Sequence, residues 1–169
     1  MPVSAILLIV GSVGCFAVLD SIVKFLAMRY PVPLLVWARY AVQALAIVLW
    51  LGPTMRLRLL RTERPRLQIA RGTTVLLSSL CFFNALKFLP LAEATAINYG
   101  TPILVIVLAI VFLGERITRP RMALVLAGIA GMFLIVRPGS VVFQGAAFWA
   151  IGSAVFYGTF QILTRILAG

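Results

Sequence analysis

The 169-residue chain has no histidine, two cysteines and four acidic residues. Each shortage removes a class of chemistry. Without histidine there is no imidazole for proton transfer near neutral pH or for the common zinc ligand sets. Cys15 and Cys81 sit inside apolar stretches, where they act as small hydrophobes and imply no disulfide framework or metal site. No glycine-rich loop suited to cradling phosphate occurs. The composition therefore speaks against an enzyme, and no cofactor is expected.

Charge is scarce as well. Charged residues make up 11% of the chain and hydrophobic residues 63%, where a soluble domain carries roughly a quarter charged and about half apolar. A water-soluble chain could not hide so much apolar surface, so the bilayer is the natural solvent. The 15 basic residues against 4 acidic ones give a net charge of +11, a balance often associated with nucleic acid. Its distribution says otherwise. Arg56, Arg58, Arg61, Arg64, Arg66 and Arg71 fall in one short polar segment, and Arg116, Arg119 and Arg121 in another. Basic clusters beside apolar spans mark the cytoplasmic side of a membrane protein. No nucleic-acid partner is expected.

Six segments are of about the right length to cross roughly 30 Å of hydrocarbon: 3–28, 33–52, 68–89, 91–113, 121–137 and 143–167. Between them lie "RYPVP", "LGPTMR", "FLPLAE", "ITRPR" and "VRPGS", all with turn chemistry. Sustained hydrophobicity without strict alternation means helices, because lipid offers the backbone no hydrogen bonds. The expected fold is an all-α polytopic membrane protein with six transmembrane helices. Two spans separate the basic clusters, which puts both on one face. Two more precede the first cluster, which puts the N-terminus on that cytoplasmic face too. Lys24, Arg29, Lys87 and Arg137 then lie near the outer interface. The expected location is the plasma (inner) membrane, multi-pass.

Residues 11–27, "GSVGCFAVLDSIVKFLA", align with 152–168, "GSAVFYGTFQILTRILA". Ser12 meets Ser153, Phe16 meets Tyr157, Asp20 meets Gln161 and Lys24 meets Arg165. Five spans separate the start of one copy from the start of the next. Five is odd, so the second copy enters the membrane upside down. Inverted-topology repeats are the architecture of secondary transporters, with the substrate site near the midplane between the halves.

The stretch "LPLAEATAINYGTPILVIVLAIVFLGERITRPRMALVLAGIAGMFLIVRPG" resembles the EamA type of the drug/metabolite transporter superfamily, with Pro102 mid-helix and "LGER" closing the fourth span. The first span with Lys24, then "YPVPLLVWARY" with Arg39, is similar to the family's opening. The resemblance implies ten helices as five plus five, both termini cytoplasmic, and transport of small metabolites such as amino acids or their derivatives. Residues 1–139 would be the first EamA repeat of five helices, and 140–169 the first helix of an incomplete second repeat. The chain departs from the family pattern by stopping at Gly169, four helices short. It is expected to be half of a transporter completed by a second copy or a missing second half. The alternative is a half-size or truncated subunit without autonomous transport.

Polar residues inside the spans are the candidate site. Asp20 lies about 12 Å below the outer end of its span, and Arg39 about 9 Å below the outer end of the next. An ionisable group at that depth is costly unless paired or facing water. An Asp20–Arg39 or Asp20–Lys24 pair is expected to line the outer half of a cavity, for gating, substrate contact or proton coupling. Pro102 removes a backbone hydrogen bond, so the carbonyls near it need partners. Asn98 and Tyr99 beside it are candidates for a cavity wall. Ser78 belongs to a short polar stripe suited to holding helices together. Ser12 and Phe16 in the first span, with Ser153, Tyr157 and Gln161 in the sixth, would flank the pseudo-symmetry axis. Acids at matching depth are missing: Asp20 is in the outer half, while Glu93 and Glu115 sit at opposite interfaces. The lipid bilayer and a small-molecule substrate are the remaining expected partners.

Overall fold

The computed structural model describes residues 3–55, 62, 64–113, 118, 122–123, 125–128, 130–131 and 141–168. Its elements are α1 (Val3–Ala27), α2 (Val32–Met55), α3 (Pro65–Phe88), α4 (Leu91–Asn98), α5 (Thr101–Leu113) and α6 (Val141–Ala168). No strand occurs among the described residues. Five stretches among them are long and apolar enough to cross a bilayer: Ser4–Ala27, Val32–Pro53, Pro65–Phe88, Leu91–Ile110 and Gly145–Leu167. The chain is a polytopic helical membrane protein. The span expected at 121–137 lies mostly outside the described residues, as do Glu115 and Arg116.

Proline places the breaks. Pro65 opens α3 at its first turn, where its missing N–H costs nothing. Pro90 forces Leu89 out of helical geometry, to φ −101° and ψ 150°, and this ends α3. Pro53 behaves differently from its expected role in a turn. It sits inside the last turn of α2, which runs on to Met55. So close to a helix end, the lost hydrogen bond does not stop the helix.

The fourth span is two helices. α4 ends at Asn98 and α5 begins at Thr101, with Tyr99 and Gly100 between them. Pro102 has no N–H to offer the Asn98 carbonyl one turn back. The buried Thr101 hydroxyl donates to that carbonyl instead, at 2.6 Å. The kink is therefore closed by the residue beside the proline that causes it.

Side-chain contacts fix the helix directions. Lys24 of α1 reaches the backbone at the C-terminal end of α3. Four residues turn α1 into α2, and Tyr40 of α2 meets α3 lower down, at Val75 and Ser79. α1 is thus parallel to α3, and α2 antiparallel to both. In α6, Ala146, Ala147 and Ala150 join the core near Phe82 and Leu86, Ser153 meets Ser78, and Phe160 lies beside Arg71. α6 therefore runs against α3, and so against α1.

The main core gathers at one end of the bundle, the turn end, where α1 meets α2 and α3 meets α4. Phe82, Phe83, Leu86 and Leu89 of the α3 segment pack with Val23, Val32, Val36, Ala94, Ile97 and the three alanines of α6. Lipid removes the usual hydrophobic drive between helices, so close packing of small residues does the work. A second cluster joins Val105 and Ala109 of α5 to Ile162 of α6, where Gly158 sits against Leu104, Val105 and Leu108.

Candidate functional site at the turn end

Asp20 and Arg39 each lie seven residues from the turn that joins α1 to α2, about 10 Å along their helices. Both are half-buried. The two groups form no ion pair within 4.0 Å. The Arg39 guanidinium rests over the fully buried Phe83 ring, 5.5 Å from its centroid, an attraction between the cation and the ring's negative face. No hydrogen bond from that guanidinium to any described residue is present.

Lys24 is not Asp20's partner. Its Nζ donates to the Leu89 carbonyl at 2.6 Å and the Leu86 carbonyl at 3.2 Å. Helix ends leave carbonyls without partners and carry partial negative charge, so a cation is favoured there. The causal chain starts in the sequence. Pro90 turns Leu89 extended, this frees its carbonyl from the helical ladder, and Lys24 takes it up.

The remaining candidates separate into helix contacts and surface groups. The Ser78 hydroxyl lies 3.2 Å from the Ser153 hydroxyl and donates to the Ser153 carbonyl at 3.1 Å. Both serines are buried, Ser153 completely. They join α3 to α6, so Ser153 packs and does not line an open cavity. Asn98 Oδ1 lies 3.3 Å from the Thr101 hydroxyl at the kink. Pro102 is exposed, and Tyr99 is 70% exposed. Phe16 is exposed on α1. Tyr157 is 40% exposed and stacks on Phe160 of its own helix, with ring centroids 5.7 Å apart. Gln161 is half-buried on α6. Ser12 donates back to the Leu8 carbonyl at 2.8 Å. Thr73, Thr74, Asn84, Thr95, Thr159 and Thr164 bond their own helices in a similar way. Such back-bonding satisfies a polar group where lipid cannot.

Sequence reasoning missed Tyr40 and Phe83. Tyr40 donates to the Val75 carbonyl at 3.1 Å and lies 2.7 Å from the Ser79 hydroxyl. Its adjacency to Arg39 in "WARYAVQ" was the available signal. Phe83 had none, because one phenylalanine among 11 does not mark itself as the seat of a guanidinium.

The model of the EamA-like transporter family matches residues 3–137. The pseudopaline exporter of Pseudomonas aeruginosa is 34% identical over 137 residues, covering 81% of this chain and 48% of the exporter. The riboflavin transporter of Rhizobium johnstonii is 28% identical over 156 residues, covering 91% of this chain and 51% of that protein. The S-adenosylmethionine uptake transporter of Rickettsia conorii is 24% identical over 106 residues, covering 63% and 36%. The chain spans about half the length of the first of these relatives. No solved structure is a significant match.

Proposed function

Since the chain belongs to the EamA-like transporter family, we propose that it supplies the first repeat of a secondary transporter for small metabolites, such as amino acids or their derivatives. Transport would proceed without ATP, by alternating access of a midplane cavity to the two sides of the membrane. The observation that carries this reading is the pair of opposite charges at equal depth in an apolar bundle. Asp20 and Arg39 lie at equal distances from the α1–α2 turn and form no ion pair within 4.0 Å. Ionisable groups held so deep are costly, and they commonly mark a substrate or ion path.

In this reading Asp20, Arg39, Phe16, Tyr99 and Gln161 border the cavity, while Lys24, Ser78, Ser153 and Asn98 hold the helices that frame it. Positive-inside asymmetry places the N-terminus and the basic segments in the cytoplasm, in the inner membrane, with the turn end outside. The second repeat comes from a further segment, a second copy or a partner chain.

The named cargoes of the relatives supply the first substrates to try. Proteoliposomes would be preloaded with unlabelled S-adenosylmethionine or riboflavin, and entry of the labelled compound followed without nucleotide. Accelerated entry over protein-free liposomes supports transport. Entry no faster than in protein-free liposomes, for these and for a wider amino-acid panel, would sink it.

A further inference from the structure

The cations at the two ends of the bundle are held differently. At the turn end Lys24 is bound to the Leu86 and Leu89 carbonyls, Arg29 lies over the Phe25 ring and Arg39 over the Phe83 ring. At the opposite end Arg71 lies over the Phe160 ring of α6, 5.4 Å from its centroid. Arg64 and Arg66, on either side of Pro65 at the start of α3, are exposed. Their side chains make no hydrogen bond, ion pair or ring contact among the described residues. Arg165 adds a charge at the same level. Ser153 meets Ser78 and Phe160 meets Arg71, so continuing along α6 to Arg165 and back along α3 to Arg66 brings these two opposite each other. No acid stands against this group among the described residues, because Asp20 and Glu93 both lie toward the turn end.

The surface of α3 that runs inward from Arg66 has the order of an amphiphile, charge first and then apolar. Arg66, Ile69, Thr73 and Leu76 recur at i, i+3, i+7 and i+10, which sets them on one face, and all four are exposed. Ile69 is 69% exposed and Leu76 42%. Thr73 donates its hydroxyl back to the Ile69 carbonyl at 3.0 Å, so it adds no free donor to the stripe. From Arg66 to Leu76 the helix rises about 15 Å, roughly half the hydrocarbon thickness of a bilayer and thus the depth of one leaflet. We propose that this face of α3 seats one anionic phospholipid, its phosphate on Arg64 and Arg66 and an acyl chain along Ile69, Thr73 and Leu76. Guanidinium groups hold phosphate through paired N–H···O bonds. Charge selects the lipid, since a zwitterionic headgroup brings a cation of its own into a group of arginines, whereas phosphatidylglycerol brings only negative charge. A soluble phosphate would meet the arginines and leave the apolar stripe uncovered. The seated lipid also screens Arg66 from Arg165 and so steadies the contact between α3 and α6. This inference needs the chain to be a membrane protein and is independent of what it carries.

Native mass spectrometry of the full chain in detergent reads the first bound lipid directly. Phosphatidylglycerol and phosphatidylcholine with identical acyl chains are titrated separately. Phosphatidylglycerol should bind about tenfold more tightly. Arg64→Gln combined with Arg66→Gln should remove that preference and leave phosphatidylcholine unchanged, while Arg64→Lys with Arg66→Lys should keep most of it. Arg29→Gln, which removes a charge at the turn end, should change neither lipid. Ile69→Ala with Leu76→Ala should weaken both lipids by a few fold and preserve their ratio. Equal affinities for the two lipids in the unaltered chain would overturn the site. An Arg29→Gln loss as large as that of the glutamine pair would do the same, since it would mean diffuse attraction to net charge. Displacement of phosphatidylglycerol by inorganic phosphate would reduce the site to one for a bare anion and overturn the lipid seat. Loss of both lipids alike in the glutamine pair, or no effect of the alanine pair, would also contradict it.

Discussion

Lys24 shows how a single charge can be spent on architecture inside a membrane. Sequence spacing alone made it a candidate partner for Asp20, because the two are one turn apart on α1. In the fold its ammonium group closes the C-terminal end of α3. Charge-assisted hydrogen bonds of this kind contribute about 1.5–3 kcal/mol each, so Lys24→Met should lower the unfolding temperature in detergent by several degrees. Lys24→Arg should retain most of that stability, and a Met variant as stable as wild type would contradict the capping role. Thr101→Val makes a second, smaller prediction. It uncovers the Asn98 carbonyl at the kink and should cost about 1 kcal/mol in the same melt, while Thr101→Ser should cost less. The residues legible in the sequence were the charged ones, since charge in lipid is rare enough to stand out. Their partners were not legible. A backbone carbonyl at a helix end and a phenylalanine in a row of apolar residues carry no mark in one dimension.

At the scale of elements, the spans were readable because each is a long apolar run between proline-containing turns. Where the reading slipped, proline was the reason. Pro53 was expected to lie in a turn and instead sits in the final turn of α2. Pro102 was expected mid-helix, and instead it lies in the first turn of α5, with Tyr99 and Gly100 separating α5 from α4. The contact between α3 and α6 could not be read at all, since those helices are distant in sequence. It can be tested by cross-linking. A Cβ built at Gly152 would lie 4.0 Å from the Cys81 Cβ and 3.5 Å from its sulfur, within the usual disulfide range. Gly152→Cys in a Cys15→Ser background should therefore oxidise to a disulfide between Cys81 and the introduced thiol. The expected readout is loss of both thiols to alkylation and a mass lower by about two hydrogens. Persistent free thiols after mild oxidation would mean that α3 and α6 do not meet as described.

For the whole molecule, α1 and α6 carry matching patterns and run in opposite directions. The match is visible in the sequence as Ser12 with Ser153, Phe16 with Tyr157, Asp20 with Gln161 and Lys24 with Arg165. The opposed directions come from independent contacts, with Lys24 at one end of α3 and Phe160 beside Arg71 at the other. An inverted-repeat transporter would require two helices of matching pattern set in opposite directions. The central claim is therefore one of orientation, and sided labelling tests it most directly. In a chain freed of Cys15 and Cys81 by serine substitution, single cysteines would be placed at Ser4, near the start of α1, and at Gly145, near the start of α6. Intact cells would then be treated with a membrane-impermeant maleimide. The account predicts labelling of Gly145→Cys in intact cells, and of Ser4→Cys only after the membrane is opened. Labelling of both from the same side would contradict it.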